Sequence, residues 1–248
     1  MRIKRNREYD PFARLYNQHW GADYWAEALP IVERLLLSRL KPGAAVLDVC
    51  CGTGQFTARV CDRGFRVTGV DASSQMIRYA RRNAPKANFT VGDVRAFTLA
   101  RTFDGAYSVY ESLNHLPDVD SLRLAFTCIR RHLKPGAPLL FDLNREEAYL
   151  LYWNNTDAFV EADYTFITRS VYDEETRTGR CDVTTFDVKE PGAWTRGDFT
   201  LSQTCHATPI VQTALEDCGF RDISLHDARD AGMSGDAGYA RTFFLARA

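Results

Sequence analysis

The segment VLDVCCGTGQFT, residues 46–57, decides the fold of this chain. A short apolar run contains Asp48, a Gly-x-Gly turn follows at Gly52 and Gly54, and a helical pattern begins directly afterwards. Glycines at such a turn let a ligand approach the backbone without a Cβ in the way. We therefore expect an α/β sheet with a ligand at the carboxyl end of its first strand.

The same turn differs from the usual dinucleotide site. Thr57 stands where the dinucleotide fingerprint has its third glycine. Asp48 precedes the turn, where a carboxylate would repel a pyrophosphate but suit a cationic ligand. The segment favours a cation-bearing ligand, and a nicotinamide-dependent oxidoreductase is the alternative enzyme class.

Strands and helices alternate around this segment. The pattern predicts helices over 55–64, 73–84 and 121–136, between strands over 44–49, 65–71, 87–93, 103–112 and 137–144. Such alternation is typical of βαβ units in a mostly parallel sheet. A further helix over 208–220 and strands over 221–228 and 240–248 close the chain.

The alternation of strands and helices ends after residue 145. Three strand-like segments between residues 158 and 206 are separated by polar turns, which predicts an inserted three-stranded antiparallel meander. We divide the chain into an N-terminal lid (1–43), a ligand-binding domain (44–144 with 207–248) and an inserted sub-domain (145–206). The insertion offers a wall for a substrate pocket and sheet edges through which two chains can pair.

Two further acidic residues follow strands of the same sheet. Asp71 ends the second strand, where a carboxylate can grip a ribose diol, although it can also cap the helix near Ser73. Asp93 ends the third strand, where its carboxylate and the Val94 N–H suit adenine. The alternative for Asp93 is an ordinary Asp turn.

Together these motifs resemble the class I S-adenosylmethionine-dependent methyltransferases. The resemblance rests on VLDVCCGTG, GVDASSQMIRYAR, GDV and LKPGAPLLFDLN. It implies a Rossmann-like seven-stranded sheet whose last strand is antiparallel, and S-adenosylmethionine as the cofactor. By motif position, it implies cofactor contacts from Asp48, Cys51, Gly52, Gly54, Asp71, Ala72, Met76, Asp93, Val94 and Tyr110. The alternative for Met76 is a core methionine.

A finer resemblance links the chain to small-molecule methyltransferases, of which the nucleotide-sugar N-methyltransferases are one group. It rests on YDPFARLYNQHWGADYWAEAL, SLNHL and the inserted strands. It implies that Tyr16 and Tyr24 of the lid approach the sulfonium, a cation that aromatic faces stabilise. The alternative is a lid helix that packs these rings into the core. DLNREE after the fifth strand departs from the Trp/Pro-rich segments of the sugar group, which puts a sugar acceptor in doubt.

Catalytic candidates follow the fourth and fifth strands. His115 lies in YESLNHLPD, where a histidine can take a proton from an acceptor, although a lone histidine is more often structural. Glu111 and Asn144 are candidate substrate ligands, and Glu111 can instead cap a turn. The aromatic candidates for the pocket wall, or for the insertion's own core, are Tyr149, Tyr152, Trp153 and Trp194.

The composition limits the function classes. The 248 residues carry a formal net charge of −1 and no basic stripe with interleaved aromatics, which argues against a nucleic-acid partner. No apolar run suits a membrane span, and the basic N-terminus lacks the apolar core of a signal peptide. Seven scattered cysteines without a CxxC pair predict neither a disulfide framework nor a metal site.

We therefore expect a cytoplasmic enzyme that uses S-adenosylmethionine to methylate an N or O atom of a small metabolite. The alternatives are the oxidoreductase named above and a non-catalytic module that binds S-adenosylmethionine.

Overall fold

A seven-stranded sheet forms the centre of the molecule in the computed structural model, which describes residues 9–21, 24–190 and 192–248. The strand order is β10-β11-β5-β4-β1-β2-β3, with β11 antiparallel to both of its neighbours and the other pairs parallel. Its strands are β1 (Ala45–Val49), β2 (Arg66–Asp71), β3 (Asn88–Val91), β4 (Gly105–Ser108), β5 (Pro138–Asn144), β10 (Arg221–Asp227) and β11 (Arg241–Arg247). The expected seven-stranded, mostly parallel sheet is confirmed.

Helices cover both faces of this sheet. Strand β1 is buried along its whole length, as expected for a parallel strand covered on both sides. One core contains apolar side chains of α5 and α7, and the other contains those of α2 and α3. The helices are α1 (Ala13–Leu15), α2 (Tyr24–Leu35), α3 (Gln55–Asp62), α4 (Ser74–Asn83), α5 (Val119–Arg130), α6 (Glu146–Tyr152) and α7 (Thr208–Asp217).

The glycine turn between β1 and α3 is required by packing as well as by backbone conformation. Gly54 has φ +75°, and a Cβ placed on it would lie 2.8 Å from the Cα of Ala80 in α4. A side chain there would clash with helix backbone, so only glycine lets α3 and α4 approach this closely.

The predicted fourth strand ends earlier than its sequence pattern suggests. The pattern predicted a strand over 103–112, whereas β4 ends at Ser108 and a 3-10 helix spans Ser112–His115. Tyr110 and Glu111 between them have φ of +67° and +42°. Two consecutive left-handed residues other than glycine terminate the strand, and such backbone strain is often found at functional sites.

The inserted sheet has four strands, so the prediction of a three-stranded meander was wrong in number. Its antiparallel order is β6-β7-β8-β9, with strands β6 (Asn155–Val160), β7 (Tyr164–Asp173), β8 (Thr178–Glu190) and β9 (Ala193–Thr204). Strand β6 is exposed at every position except the half-buried Phe159, so it has no alternating pattern to reveal it.

One face of the inserted sheet packs on the N-terminal segment. Phe166, Val183 and Leu201 are buried against Phe12 and Leu15 in a third apolar cluster. Arg14 adds ion pairs to the same sheet, 2.7 Å to Asp163 and 3.2 Å to Asp187. These contacts hold the segment that precedes α2 beneath the insertion. Residues 1–8 and 22–23 of the predicted lid lie outside the described residues.

The described residues contain no helix long and apolar enough to cross a membrane. All seven cysteines are free thiols. Within the same described ranges, no three His, Cys, Asp or Glu side chains are grouped to hold a metal ion.

Candidate active site

A cavity of about 1110 Å³ lies between the carboxyl ends of β1 to β4, the N-terminal segment and the inserted sheet. It is where ligands bind in open α/β sheets. Most of the residues singled out from the sequence line it: Tyr16, Gly52, Asp71, Ala72, Met76, Asp93, Val94, Tyr110, Glu111 and His115.

Asp71 is a half-buried carboxylate at one end of this cavity. Its Oδ2 accepts the N–H of Gly52 at 2.9 Å, and its Oδ1 accepts the N–H of Ser73 at 2.8 Å. Burial raises the pKa of Asp71 to about 6, against the lowering effect of these two bonds. The cap of α4 is Ser73, whose hydroxyl accepts from the N–H of Met76 at 3.1 Å. Asp71 thus braces the glycine turn and faces the cavity.

The Asp93 carboxylate forms an ion pair with Arg95. Arg95 Nε lies 2.9 Å from Asp93 Oδ1, and Arg95 Nη2 lies 2.7 Å from Oδ2. Burial alone would raise the pKa of Asp93, but the bonds from Arg95 hold it below its ordinary value. The Asp93 side chain therefore stays an anion at the cavity wall.

Asp48 has a different environment from the one its motif suggested. It is buried, and accepts from Thr57 Oγ1 at 2.5 Å and from the Tyr107 hydroxyl at 2.8 Å. Burial raises the pKa of Asp48 to about 7. It contributes to a second, smaller cavity of about 30 Å³, and not to the large one, because it points beneath the glycine turn.

The other residues predicted to bind the cofactor line the smaller cavity. Tyr24, Cys51 and Gly54 line it with Asp48. Tyr16 and Tyr110 line both cavities, and their ring centroids are 5.7 Å apart. The two rings form the common wall between the cavities.

A buried charge cluster lies behind Tyr110 and Glu111. Arg241 of β11 forms an ion pair with Asp142 and another with Glu111, whose Oε2 is 2.5 Å from Arg241 Nη1. The Tyr24 hydroxyl donates to Asp142 at 3.1 Å, which explains why Tyr24 is held away from the large cavity. Two carboxylates share one guanidinium, and burial raises the pKa of Glu111 despite the charge of Arg241.

His115 joins the core to the inserted sheet. Its Nδ1 lies 2.8 Å from the carbonyl oxygen of Ser202, and its Nε2 lies 3.0 Å from Gln203 Nε2 and 2.5 Å from the Tyr9 hydroxyl. Burial lowers the pKa of His115 to about 4, although the bond to Ser202 opposes the shift. The imidazole is therefore neutral at physiological pH.

The structure does not bring Asn144 to the cavity. Its backbone N–H donates to Asn114 Oδ1 at 3.0 Å, at the end of β5. Among the aromatic candidates, Tyr152 and Trp153 line the cavity, whereas Trp194 is exposed on β9. Tyr149 is fully buried behind the wall, where its hydroxyl donates to Gln203 at 2.8 Å.

Several wall residues were missed from the sequence. They come from the N-terminal segment, from the loop after β3 and from the inserted strands: Tyr9, Phe12, Arg95, Asp157, Thr168, Ser170, Ser202 and Gln203. The imperfect alternation of the inserted strands gave no way to assign the inward face. The aromatic spacing Tyr9, Phe12, Tyr16 and Trp20 was the usable signal for the N-terminal segment.

The residues present fit an adenosyl cofactor that carries a sulfonium. Gly52 has φ +53° and lines the cavity, and a Cβ on it would lie 3.5 Å from the Tyr16 ring. Because Gly52 has no side chain, its backbone stays open to the cavity beside the Tyr16 ring. Buried carboxylates at strand ends and aromatic rings are the groups that bind hydroxyls and cations.

Comparison with known proteins agrees with this geometry. Residues 46–136 match the family model described as a methyltransferase domain. The chain therefore contains a methyltransferase domain, and it is similar to the class I S-adenosylmethionine-dependent methyltransferases. A crystal structure of an S-adenosylmethionine-dependent methyltransferase from Clostridium acetobutylicum has the same fold, with a TM-score of 0.76 at 21% identity over 96% of this chain and 98% of that one.

Two curated relatives illustrate the range of similarity to this methyltransferase. The Bacillus subtilis protein YqeM, named as a methyltransferase, is 27% identical over 86% of either chain. The dTDP-3-amino-3,4,6-trideoxy-alpha-D-glucopyranose N,N-dimethyltransferase of Streptomyces venezuelae is 33% identical over 49% of this chain and 51% of its own. The chain thus spans about half the length of this sugar-modifying relative. The expectation of a methyltransferase is confirmed, and the relatives offer no support for an oxidoreductase.

Proposed function

We propose that this methyltransferase transfers a methyl group to an N or O atom of a small molecule held between the core sheet and the inserted sheet. The observation that carries the proposal is the cavity itself. One end has the glycine turn and the strand-end carboxylates, and the other is enclosed by the insertion. A cavity of about 1110 Å³ exceeds the ~300–1,000 Å³ of ordinary ligand pockets, which suits two ligands together.

The first end suits the cofactor. In this proposal Asp71 binds the ribose hydroxyls through the lone pairs left by Gly52 and Ser73. Asp93, Val94 and Met76 hold the adenine, with Ala72 beside them. The turn from Asp48 to Gly54, including Cys51 and Gly52, holds the methionine part, and Tyr16 and Tyr110 lie beside the sulfonium. Asp48 and Tyr24 act from the smaller cavity by positioning the turn and the Tyr110 backbone.

The chain's own contribution is orientation and exclusion of water. When bound, the cofactor supplies an electrophilic methyl group on sulfur. Phe12 and Trp20 line the cavity under the inserted sheet and shield it from solvent. Holding two reactants in line in this way can lower a barrier by about 7–11 kcal/mol.

His115 is the proposed proton acceptor. Donation from Nδ1 to Ser202 leaves the lone pair on Nε2, where Tyr9 and Gln203 now donate. An acceptor hydroxyl or ammonium that replaced the Tyr9 hydroxyl would meet a neutral base. General-base catalysis of this kind contributes roughly 10²–10⁴-fold. Glu111 is proposed to contact the acceptor from the same wall, and Asn144 is proposed to position Asn114 rather than to touch it.

The proposal is tested by supplying S-adenosylmethionine with an isotopically labelled methyl group and a panel of amines, phenols and carboxylic acids. Label should appear in at least one acceptor, as seen by mass spectrometry. Cofactor binding without transfer to any acceptor, across the panel and in cell extract, would instead support a non-catalytic binding module.

We also propose that the protein works in the cytoplasm and does not bind nucleic acid. The free thiols and the balanced charge support these points. Pairing of two chains through the inserted sheet is proposed from Val160 and Val171, which are exposed on β6 and β7. Light scattering of the wild type and of Val171→Lys tests it, because a charge on that sheet should shift a dimer to monomer.

A further inference from the structure

The cavity wall is unusual in its charge. The described residues that line it include four carboxylates, Asp71, Asp93, Glu111 and Asp157, and a single guanidinium, Arg95. Arg95 donates hydrogen bonds from Nε and Nη2 to the two carboxylate oxygens of Asp93. This pair lies at the end of the cavity that we assign to adenine. Among the described residues, the wall beyond the cofactor end therefore contributes two carboxylates and neither lysine nor arginine.

The charge behind this wall does not reverse the balance. Arg241 lies behind Glu111 and is shared with Asp142, so one guanidinium serves two carboxylates. Arg241 is itself buried and does not line the cavity. A surplus negative charge therefore remains at the floor of the acceptor end.

The rest of the acceptor wall is polar but neutral. Thr168 and Ser170 of β7 and Gln203 of β9 point into the cavity, and Trp153 adds an aromatic face. His115 is neutral at physiological pH. These groups can bind hydroxyls or a ring, but none of them can balance a multiply charged anion.

This wall does not suit the acceptor named for the Streptomyces venezuelae relative, which is a dTDP-linked amino sugar. Proteins bind phosphate and diphosphate groups with arginine, lysine or helix N-termini. Like charges placed close together repel one another. A diphosphate at this acceptor end would face Glu111 and Asp157, and no lysine or arginine among the described residues lines the wall beside it.

We propose that the acceptor is an amine without a phosphate or diphosphate group, attracted by the Glu111 and Asp157 carboxylates. This inference rests on the proposed function. In the transfer, His115 first takes a proton from the ammonium group and later passes it to solvent. The nitrogen lone pair that is set free forms the new N–C bond while the C–S bond breaks and its electron pair stays on sulfur, so the positive charge passes from sulfur to nitrogen. Carboxylates beside the nitrogen stabilise that charge, whereas they would oppose an anionic oxygen nucleophile.

Calorimetry on the full chain, saturated with S-adenosylhomocysteine, tests the inference. Tyramine and 4-hydroxyphenylacetate form a matched pair of similar size, one cationic and one anionic. We expect tyramine to bind at least roughly tenfold more tightly, because the largely enclosed Glu111 and the exposed Asp157 both attract a cation and repel an anion. Equal affinity, preference for the acid, or no binding of either compound would overturn the proposal.

The same protein is titrated with dTDP, a diphosphate anion without an amine. We expect no binding at millimolar concentration, and a Kd below about 1 mM would overturn the proposal. The full chain retains Arg2, Lys4, Arg5 and Arg7, which lie outside the described residues, so any cation they supply is included in the result. Failure to bind S-adenosylhomocysteine itself would instead reject the proposed function, which separates the two failures.

Asp157→Asn provides the residue-level test. Asp157 accepts a bond from Asn155 at 2.9 Å on β6, and the amide preserves its size. We expect about a fivefold or greater loss of tyramine affinity with unchanged S-adenosylhomocysteine affinity. Glu174→Gln, in the exposed turn between β7 and β8, is the matched control and should change neither affinity. Equal losses in both variants, or none in Asp157→Asn, would contradict the assignment of Asp157.

Discussion

The Nδ1 atom of His115 lies 2.8 Å from the carbonyl oxygen of Ser202, so the ring donates a hydrogen bond to the inserted sheet. A carbonyl oxygen can only accept, which fixes the proton on Nδ1 and leaves Nε2 with its lone pair. The core loop after β4 and the edge of β9 are joined by this bond. The orientation of the proposed base therefore depends on the docking of the insertion.

Replacing His115 tests its proposed chemical role. We predict that His115→Asn lowers kcat by roughly 10²–10⁴-fold, because the proton acceptor is lost. Affinity for S-adenosylhomocysteine should stay within about twofold, since His115 lies away from the glycine turn. Steady-state kinetics and calorimetry measure the two quantities. Unchanged turnover would show that His115 only positions the insertion.

The pH dependence of stability provides an independent check on His115. Its pKa is about 4 in the folded chain and 6.5 as the ordinary value. Between these values the unfolded chain binds a proton that the folded chain does not, so this residue lowers the free energy of unfolding as the pH falls from 6.5 to 4. From pH 7 to pH 5 we predict that wild type loses about 1–2 kcal/mol more than His115→Asn.

Urea unfolding of both proteins at the two pH values measures this difference. Other titrating groups are common to both chains and cancel in the comparison. A larger loss in the variant than in the wild type would mean that the imidazole is charged in the folded protein.

Cofactor binding should release a proton from Asp71. Its pKa is raised to about 6 by burial, and hydroxyl donors from a ribose favour the charged carboxylate and lower that pKa. At pH 6 we predict release of roughly half a proton per site when S-adenosylhomocysteine binds, and almost none from Asp71 at pH 8. Calorimetry in buffers of different ionisation enthalpy measures the release.

Asp71→Asn is the control for this linkage, because the amide does not titrate. The variant should lose the Asp71 part of the proton release at pH 6 and bind about 10–100-fold more weakly, as expected for lost charge-assisted hydrogen bonds. Proton release that persists unchanged in the variant would assign it to another carboxyl group, such as Asp48.

Two glycines with the same backbone conformation separate strain from packing. Gly54 and Gly64 have φ of +75° and +86°, but only at Gly54 would a Cβ meet another residue within 4 Å. We predict that Gly64→Ala lowers the free energy of unfolding by about 1–2 kcal/mol, from left-handed strain alone. Gly54→Ala should cost about 1–3 kcal/mol more, because it also displaces α4. Equal losses in chemical denaturation would contradict the close packing of α3 on α4.

Local sequence was enough to predict which residues meet at the glycine turn, where we propose that the cofactor binds. Gly52 and Asp71 lie where a strand pattern ends, and the parallel sheet necessarily brings such ends to one edge. The bond from Gly52 N to Asp71 Oδ2 realises that rule at 2.9 Å. The sequence did not reveal that the Asp48 side chain points beneath the glycine turn. That orientation depends on its hydrogen bonds to Thr57 and Tyr107.

The acceptor end could not be derived in the same way. Asp157 lies on a strand with almost no burial pattern, and its position follows from pairing with Thr168 across the sheet. Tyr9 reaches His115 over a separation of 106 residues, which no local pattern encodes. Asn144 was expected at the cavity because it ends β5, but strand ends do not specify which side chain turns inward.

Calorimetric titration of the purified full chain with S-adenosylhomocysteine measures directly whether the glycine turn and Asp71 form a cofactor site. We predict one site per chain, with an affinity that Asp71→Asn weakens and Glu174→Gln leaves unchanged. An absence of heat and of thermal stabilisation with both S-adenosylhomocysteine and S-adenosylmethionine would contradict it.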